Sequence, residues 1–150
     1  MKIRKATTND VPIIVEMIAD DVLGKTREDF KTPVPKPYYD AFENIDSDDN
    51  QELIVVENDK LEIIGTLQLS FIQYLTYCGG IRAQIEAVRI RKDYRKKGIG
   101  TQMFEWAINR SKQKRAHVIQ LTTDKKRQSA IKFYENLGFK STHEGMKMHF

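Results

Sequence analysis

The chain has 150 residues, 40% of them apolar and 31% charged, which is enough for one domain with its own core and too ordinary for a disordered or fibrous protein. No apolar run approaches the roughly 18 residues of a spanning helix, the N-terminus lacks the apolar stretch of a secretory signal, and the single cysteine, Cys78, forms neither an internal disulfide nor a cysteine-based metal site; the expectation is one cytoplasmic domain over residues 1–150. The net charge of +4 is unevenly divided: residues 1–75 hold 8 Lys/Arg and 15 Asp/Glu (−7), and residues 76–150 hold 17 and 6 (+11), a balance that suits an anionic ligand such as phosphate, nucleotide or nucleic acid, or a solvated basic surface.

There is no internal repeat and no low-complexity segment. Ile3 opens a short strand. Thr8 or Asn9 can cap a helix, with Pro12 in its first turn. Val11, Ile14, Val15 and Ile18 give that helix one apolar face. The three prolines of residues 31–37 break regular structure and lead into a short helix near residues 38–46. After a polar turn at residues 46–50, Leu53 to Val56 is a short apolar strand. A longer strand, Ile63 to Phe71, alternates Leu67, Leu69 and Phe71 against Thr66, Gln68 and Ser70. Asn58-Asp59-Lys60 joins the two as a hairpin, and Cys78-Gly79-Gly80 marks another turn.

The next strand, Ile81 to Arg91, changes phase part-way. Ile81, Ala83, Ile85 and Ala87 are apolar, and then Val88 and Ile90 are. Strand side chains alternate faces with period two, so this slip predicts a β-bulge near Ala87–Val88. Ile99, Met103, Phe104, Ala107 and Ile108 describe an amphipathic helix ending near Lys114, with Trp106 packing beside the stripe. Residues 117–122 form a strand. Ala130, Phe133, Tyr134 and Leu137 form another helical stripe. Gly138 stands at its left-handed cap, with Phe139 placed to pack back. Met146 to Phe150 alternates as a last strand would. Three antiparallel strands before residue 91 exclude a doubly wound parallel sheet and predict a mixed α/β fold with helices on both faces.

Between strand and helix lies Arg95-Lys96-Lys97-Gly98-Ile99-Gly100-Thr101. Its glycines permit a tight turn, the first amides of the helix are unsatisfied, and three cations flank them. A diphosphate suits such a site, although a basic helix start reads the same way. The stretch is neither a Walker A loop nor a Rossmann fingerprint. His117, His143 and His149 lack metal-ligand spacing, so no metal is expected.

Arg95-x-x-Gly98-x-Gly100 after a bulged strand resembles the acetyl-CoA loop of the GNAT superfamily of N-acetyltransferases. Phe133-Tyr134-x-x-Leu137-Gly138-Phe139 resembles that family's second signature, and Arg4-Lys5-Ala6-Thr7-x-Asn9-Asp10 fits its start. The likeness spans the chain and is strongest from Ile81 to Phe139. It implies a mostly antiparallel sheet with a splayed central parallel pair, residues 81–91 and 117–122, and acetyl-CoA held between them. The amides of Lys96, Lys97, Gly98, Ile99, Gly100 and Thr101, beside Arg95, would take the pyrophosphate, and the backbone of Val88 and Ile90 the pantetheine arm.

The same resemblance implies direct acetyl transfer to an amine. Glu86 is the candidate base, or else a solvated or salt-bridged carboxylate beside Arg82. The Val88 amide is the candidate oxyanion donor. Tyr134 is the candidate acid to the CoA sulfur, or else a core tyrosine. Arg127 stands where many relatives have Asn and could still reach CoA. Lys92 replaces a common proline. The expected acceptor is the primary amine of a small molecule or peptide. Asp20, Asp21, Glu28, Asp29, Asp40, Glu43, Asp46, Asp48 and Asp49 suggest a cationic one. A non-catalytic acyl-CoA sensor on the same fold is the alternative. Nucleic acid and membrane partners are not expected, and pairing into a homodimer is compatible with the family.

Overall fold

The computed structural model describes residues 1–21 and 24–150, with Lys25 described by its backbone alone. Strand β1 (Lys2–Lys5) leads through a turn at Thr8–Asp10 into helix α1 (Val11–Ala19), and helix α2 (Lys36–Asp46) follows. Three strands come next: β2 (Gln51–Glu57), β3 (Ile63–Gln73) and β4 (Ile81–Ile90). A four-residue helical turn, α3 (Thr76–Gly79), joins β3 to β4. Helix α4 (Ile99–Gln113), strand β5 (Val118–Leu121) and helix α5 (Gln128–Asn136) complete the order. The sheet runs β1-β2-β3-β4-β5, antiparallel except for the parallel pair β4–β5.

The apolar run of β2 follows from burial on both faces. Ile54 and Val56 face a core shared with Leu67, Leu69, Ala83, Ile85, Met103, Phe104 and Ala107, which α4 and α5 cover. Val55, from the same strand, joins Ala6, Val11, Ile14, Val15 and Phe42 under α1 and α2. A strand covered on both faces loses the apolar–polar alternation of a half-exposed one. Helix α4 is tied to β2 as well: Arg110 donates from Nε and Nη2 to the buried carboxylate of Glu52 at 2.6–2.9 Å.

Helix α1 begins at Val11, with Asp10 rather than Thr8 or Asn9 at its N-cap, and Thr7 caps the Thr8–Asp10 turn before it in a capping box with Asp10. The Asp10 carboxylate accepts from the Thr7 amide at 2.7 Å and its hydroxyl at 2.9 Å. Arg4 donates to both oxygens of Asp10 (2.7 and 3.0 Å) and to Glu57 (2.7 Å). Burial pushes the Asp10 carboxyl up, but these hydrogen bonds outweigh it and hold the group below its usual value. The cap at the far end of α5 is as expected. Gly138 has φ +93°, its amide donates to the Glu135 carbonyl and the Phe139 amide to the Tyr134 carbonyl, which is a Schellman arrangement.

The bulge is where the phase slip put it. Gln68 pairs with Glu86 and Thr66 with Arg89, so Leu67 stands opposite both Ala87 and Val88, and Ala87 has φ +51°. The expected last strand does not form. Residues 140–150 have no regular secondary structure, and Met146, Met148 and Phe150 are exposed. Alternating apolar residues satisfy only half of what a strand requires. The other half is a partner's hydrogen-bond ladder, and no strand of the sheet supplies one to this segment. The parallel pair therefore lies at the edge of the sheet rather than at its centre.

Candidate active site

Strands β4 and β5 pair only from Arg82 with Val118 to Ile85 with Leu121. Beyond Ile85, β4 continues through Glu86, Ala87, Val88 and Ile90 without β5 beside it, which opens a gap at this end of the sheet. A short turn, Lys92–Tyr94, then turns the chain into the loop before α4. Lys92 takes a new role in place of proline: its ammonium pairs with Asp20 at 2.6 Å, tying the exit of β4 to the end of α1.

Gly98 is the N-cap of α4 with φ +79°, and nothing lies within 4 Å of where its Cβ would stand. Glycine is needed there for its backbone angle, and the space above it is open. Lys96 is also left-handed, at φ +61°. Among the described residues, the amides from Lys96 to Thr101 donate to no backbone carbonyl; the first to turn back is Gln102, to Gly98 at 3.2 Å. These donors and the positive end of α4 form an anion cradle. Gly100 serves a different purpose. A Cβ there would stand 3.2 Å from Phe133 and 3.3 Å from Ile90, so this glycine lets α4 close on α5 and β4.

The side chains around the cradle are already engaged. Lys97 lies 4.9 Å from the centre of the Tyr94 ring. Arg95 donates to the Ile90 carbonyl at 3.1 Å, and Arg89 to the Val88 carbonyl at 2.8 Å. The two carbonyls expected to meet a pantetheine arm thus each carry an arginine donor, with a second lone pair remaining.

Glu86 is exposed at the gap, and Gln84 donates to it at 3.0 Å. Among the described residues it makes no ion pair. Arg82, its sequence neighbour, lies instead over the Tyr74 ring at 4.9 Å. Tyr134 is half-buried on α5, its ring 5.4 Å from Phe104 and 5.6 Å from Phe133. Burial pushes its phenol up, against the opposing pull of Arg127 and Arg89. The hydroxyl has no hydrogen-bond partner among the described residues.

Arg127 is not part of the cradle. It reaches from the start of α5 to Asp21, 3.7 Å away, beside Arg89. Helices α1 and α2 and strands β2, β3 and β4 line a half-open pocket of about 110 Å³, with Ile18, Tyr38, Thr66, Gln68 and Ala87 among its walls. Sequence reading missed Arg89, Tyr38, Thr66 and Gln68, and it counted Asp21 among the acidic residues without foreseeing its pairing with two arginines. For Arg89 a signal existed, since the bulge that sets Val88 and Ile90 on one face sets Arg89 on the other.

His117 bonds the Ile81 carbonyl and the Tyr74 hydroxyl and has a structural role. Among the described residues no group of three or more His, Cys, Asp or Glu could hold a metal ion, and no helix is long and apolar enough to cross a membrane.

Residues 19–139 match the acetyltransferase (GNAT) family. The chain belongs to that family. A curated GNAT relative, aminoalkylphosphonate N-acetyltransferase of Salmonella typhimurium (strain LT2), is 27% identical over 143 residues, covering 95% of this chain and 86% of its own. A crystal structure from Bacillus halodurans C-125, named a transcriptional regulator, is 53% identical with a TM-score of 0.95 over 99% of each chain. A predicted acetyltransferase from Clostridium acetobutylicum, solved with acetyl-CoA, shares the fold at 22% identity and a TM-score of 0.76, over 99% of this chain and 95% of its own. The chain is thus a GNAT N-acetyltransferase of a family that uses acetyl-CoA, and the gap, the open space at Gly98 and the unpaired amides fit that substrate.

Proposed function

We propose that the protein transfers the acetyl group of acetyl-CoA directly to the primary amine of a small molecule or peptide, with Glu86, Val88 and Tyr134 at the reacting centre. The bulge at Ala87–Val88 carries this reading. It interrupts the β3–β4 ladder beside the gap and puts a carboxylate one residue before it. Acetyl-CoA is a substrate, supplying a thioester carbonyl. The amides of Lys96 to Thr101 hold its diphosphate. Glu86, open to solvent, takes the proton that the ammonium of the acceptor must lose, directly or through water. The Val88 amide stabilises the developing oxyanion, as such donors do by a few kcal/mol. Tyr134, kept protonated by burial, gives its proton to the departing thiolate and is restored by the second proton that the new amide nitrogen sheds.

The acidic surface that suggested a cationic acceptor is largely neutralised within the protein. Asp20, Asp21, Glu28, Asp29 and Asp40 pair with Lys92, with Arg89 and Arg127, with Arg27, with Lys31 and with Lys36 respectively. The test is CoA thiol release against a panel of amines, repeated with Tyr134→Phe. Release should depend on one class of amine. The variant should bind acetyl-CoA normally and turn over at least about tenfold more slowly. Undiminished turnover in the variant removes the acid role, and binding without release on any amine removes transfer.

A further inference from the structure

We propose that Arg89 and Arg127 form a receptor for a compact anionic group, a carboxylate or a phosphate, carried by the amine acceptor, and that Asp21 occupies it when no acceptor is bound. This deepens the transfer reading above and rests on it.

The location comes from register. Arg89 pairs across the sheet with Thr66, and Glu86 with Gln68. Thr66 and Gln68 both line the cavity under α1 and α2, as does Ala87. Because of the bulge, Glu86 and Arg89 share that face although three residues separate them. Asp21 lies three residues past Ile18, another lining residue. Tyr38 completes the wall, its hydroxyl donating to Glu28 at 3.0 Å. Arg89 is thus tied to the cavity through its cross-strand partner Thr66, and Arg127 through the Asp21 that both arginines face. The proposed base is on the same strand, and the Tyr134 phenol is within reach of both their fields.

The charges are unbalanced. Arg89 Nη2 is 3.3 Å and Arg127 Nη2 is 3.7 Å from the two oxygens of Asp21. Two cations thus share one anion. The neighbouring carboxylate, Glu28, is already held by Arg27 at 2.7 Å and by Tyr38. The Arg89 and Asp21 side chains are only 12% and 11% exposed, whereas Arg127, at 44%, presents its guanidinium to solvent and so to an arriving ligand. The Arg89 Nε is buried without a hydrogen-bond partner among the described residues, and Arg127 stands beyond hydrogen-bond distance of the carboxylate it faces. Guanidinium groups with unused donors around a carboxylate are suited to a second oxyanion, because the planar fork binds two oxygens at once.

The experiment measures calorimetric binding to the CoA-loaded protein of four probes: 2-aminoethyl phosphate, 3-aminopropanoate, propylamine and 1,4-diaminobutane. One of the two anionic amines should bind at least about tenfold more tightly than propylamine, and which one distinguishes phosphate from carboxylate. Arg127→Gln should reduce that ratio about tenfold. Asp21→Asn should raise the affinity for the anionic amine several-fold, an effect that misfolding cannot imitate. Equal binding of propylamine, preference for diaminobutane, or loss of anion binding in Asp21→Asn overturns the receptor and leaves the cluster a structural brace. Arginine-dependent binding of an anionic amine that is never acetylated upholds the receptor and overturns the transfer reading.

Discussion

The two sides of the gap are built by different means. On the α4 side, the cradle consists of backbone amides placed by a left-handed glycine, and its lysines stand around it. On the α1 side, the cavity and its rim consist of side chains from separate segments: Asp21 after α1, Tyr38 on α2, Thr66 and Gln68 on β3, Arg89 on β4 and Arg127 at the start of α5. A backbone site must be written in consecutive residues, because the amides it uses are consecutive. A side-chain site can be assembled from anywhere the fold brings together, and it can be altered one residue at a time without disturbing the cradle. This division matches the chemistry of a family with one common donor and many acceptors.

The sharpest way to break this comparison is Glu86→Gln. It should lower turnover by about 10²-fold or more while acetyl-CoA affinity, read by calorimetry, stays the same. A comparable loss of acetyl-CoA binding would show that the two sides are not separable. Next in size is Gly98→Ala. The imposed left-handed angle costs about 1–2 kcal/mol for a residue with a Cβ, so acetyl-CoA should bind roughly tenfold more weakly. Lys96→Gln with Lys97→Gln should cost only a few-fold, and that loss should fade as salt is raised through about 0.5 M. If the lysine pair matters more than the glycine, the cradle is electrostatic rather than geometric.

The smallest effect lies away from both sides, at Asp10. Its carboxyl is held below the ordinary value in the folded chain, so its contribution is fully present above the unfolded value of about 3.9 and is lost as pH falls through the folded one. Asp10→Asn should cost about 1 kcal/mol at pH 7. The difference between the variant and the parent in thermal melts should narrow as pH is lowered from 6 to 3, with acetyl-CoA affinity at pH 7 unaltered.

What could be read from the sequence follows the same division. The cradle was legible in Gly98 and the residues around it. The bulge was legible because a change in the phase of apolar residues is a local signal, and so was the cap at Gly138. The reason for Gly100 was not, since it depends on Phe133 arriving from another helix. Arg127 was expected only to be able to reach CoA from its position in a motif, and its contact with Asp21 is one that no spacing in the sequence announces. The terminal segment carried the alternation of a strand, but pairing depends on what lies alongside, and periodicity is silent about that. The count of acidic residues could not show which of them already face a cation, as Asp20, Asp21, Glu28, Asp29 and Asp40 do.

The pair Arg110–Glu52 bears on how well the cradle can hold its shape. Arg110 sits in the last turn of α4, roughly 16 Å along the helix from the amides proposed to hold the diphosphate. Amides cannot be exchanged for better ones; their aim is the aim of the helix that carries them. By clamping the distant end of that helix to a strand buried on both faces, the guanidinium–carboxylate contact acts as the tailstock of a lathe. It does not touch the work, but the precision at the other end depends on it.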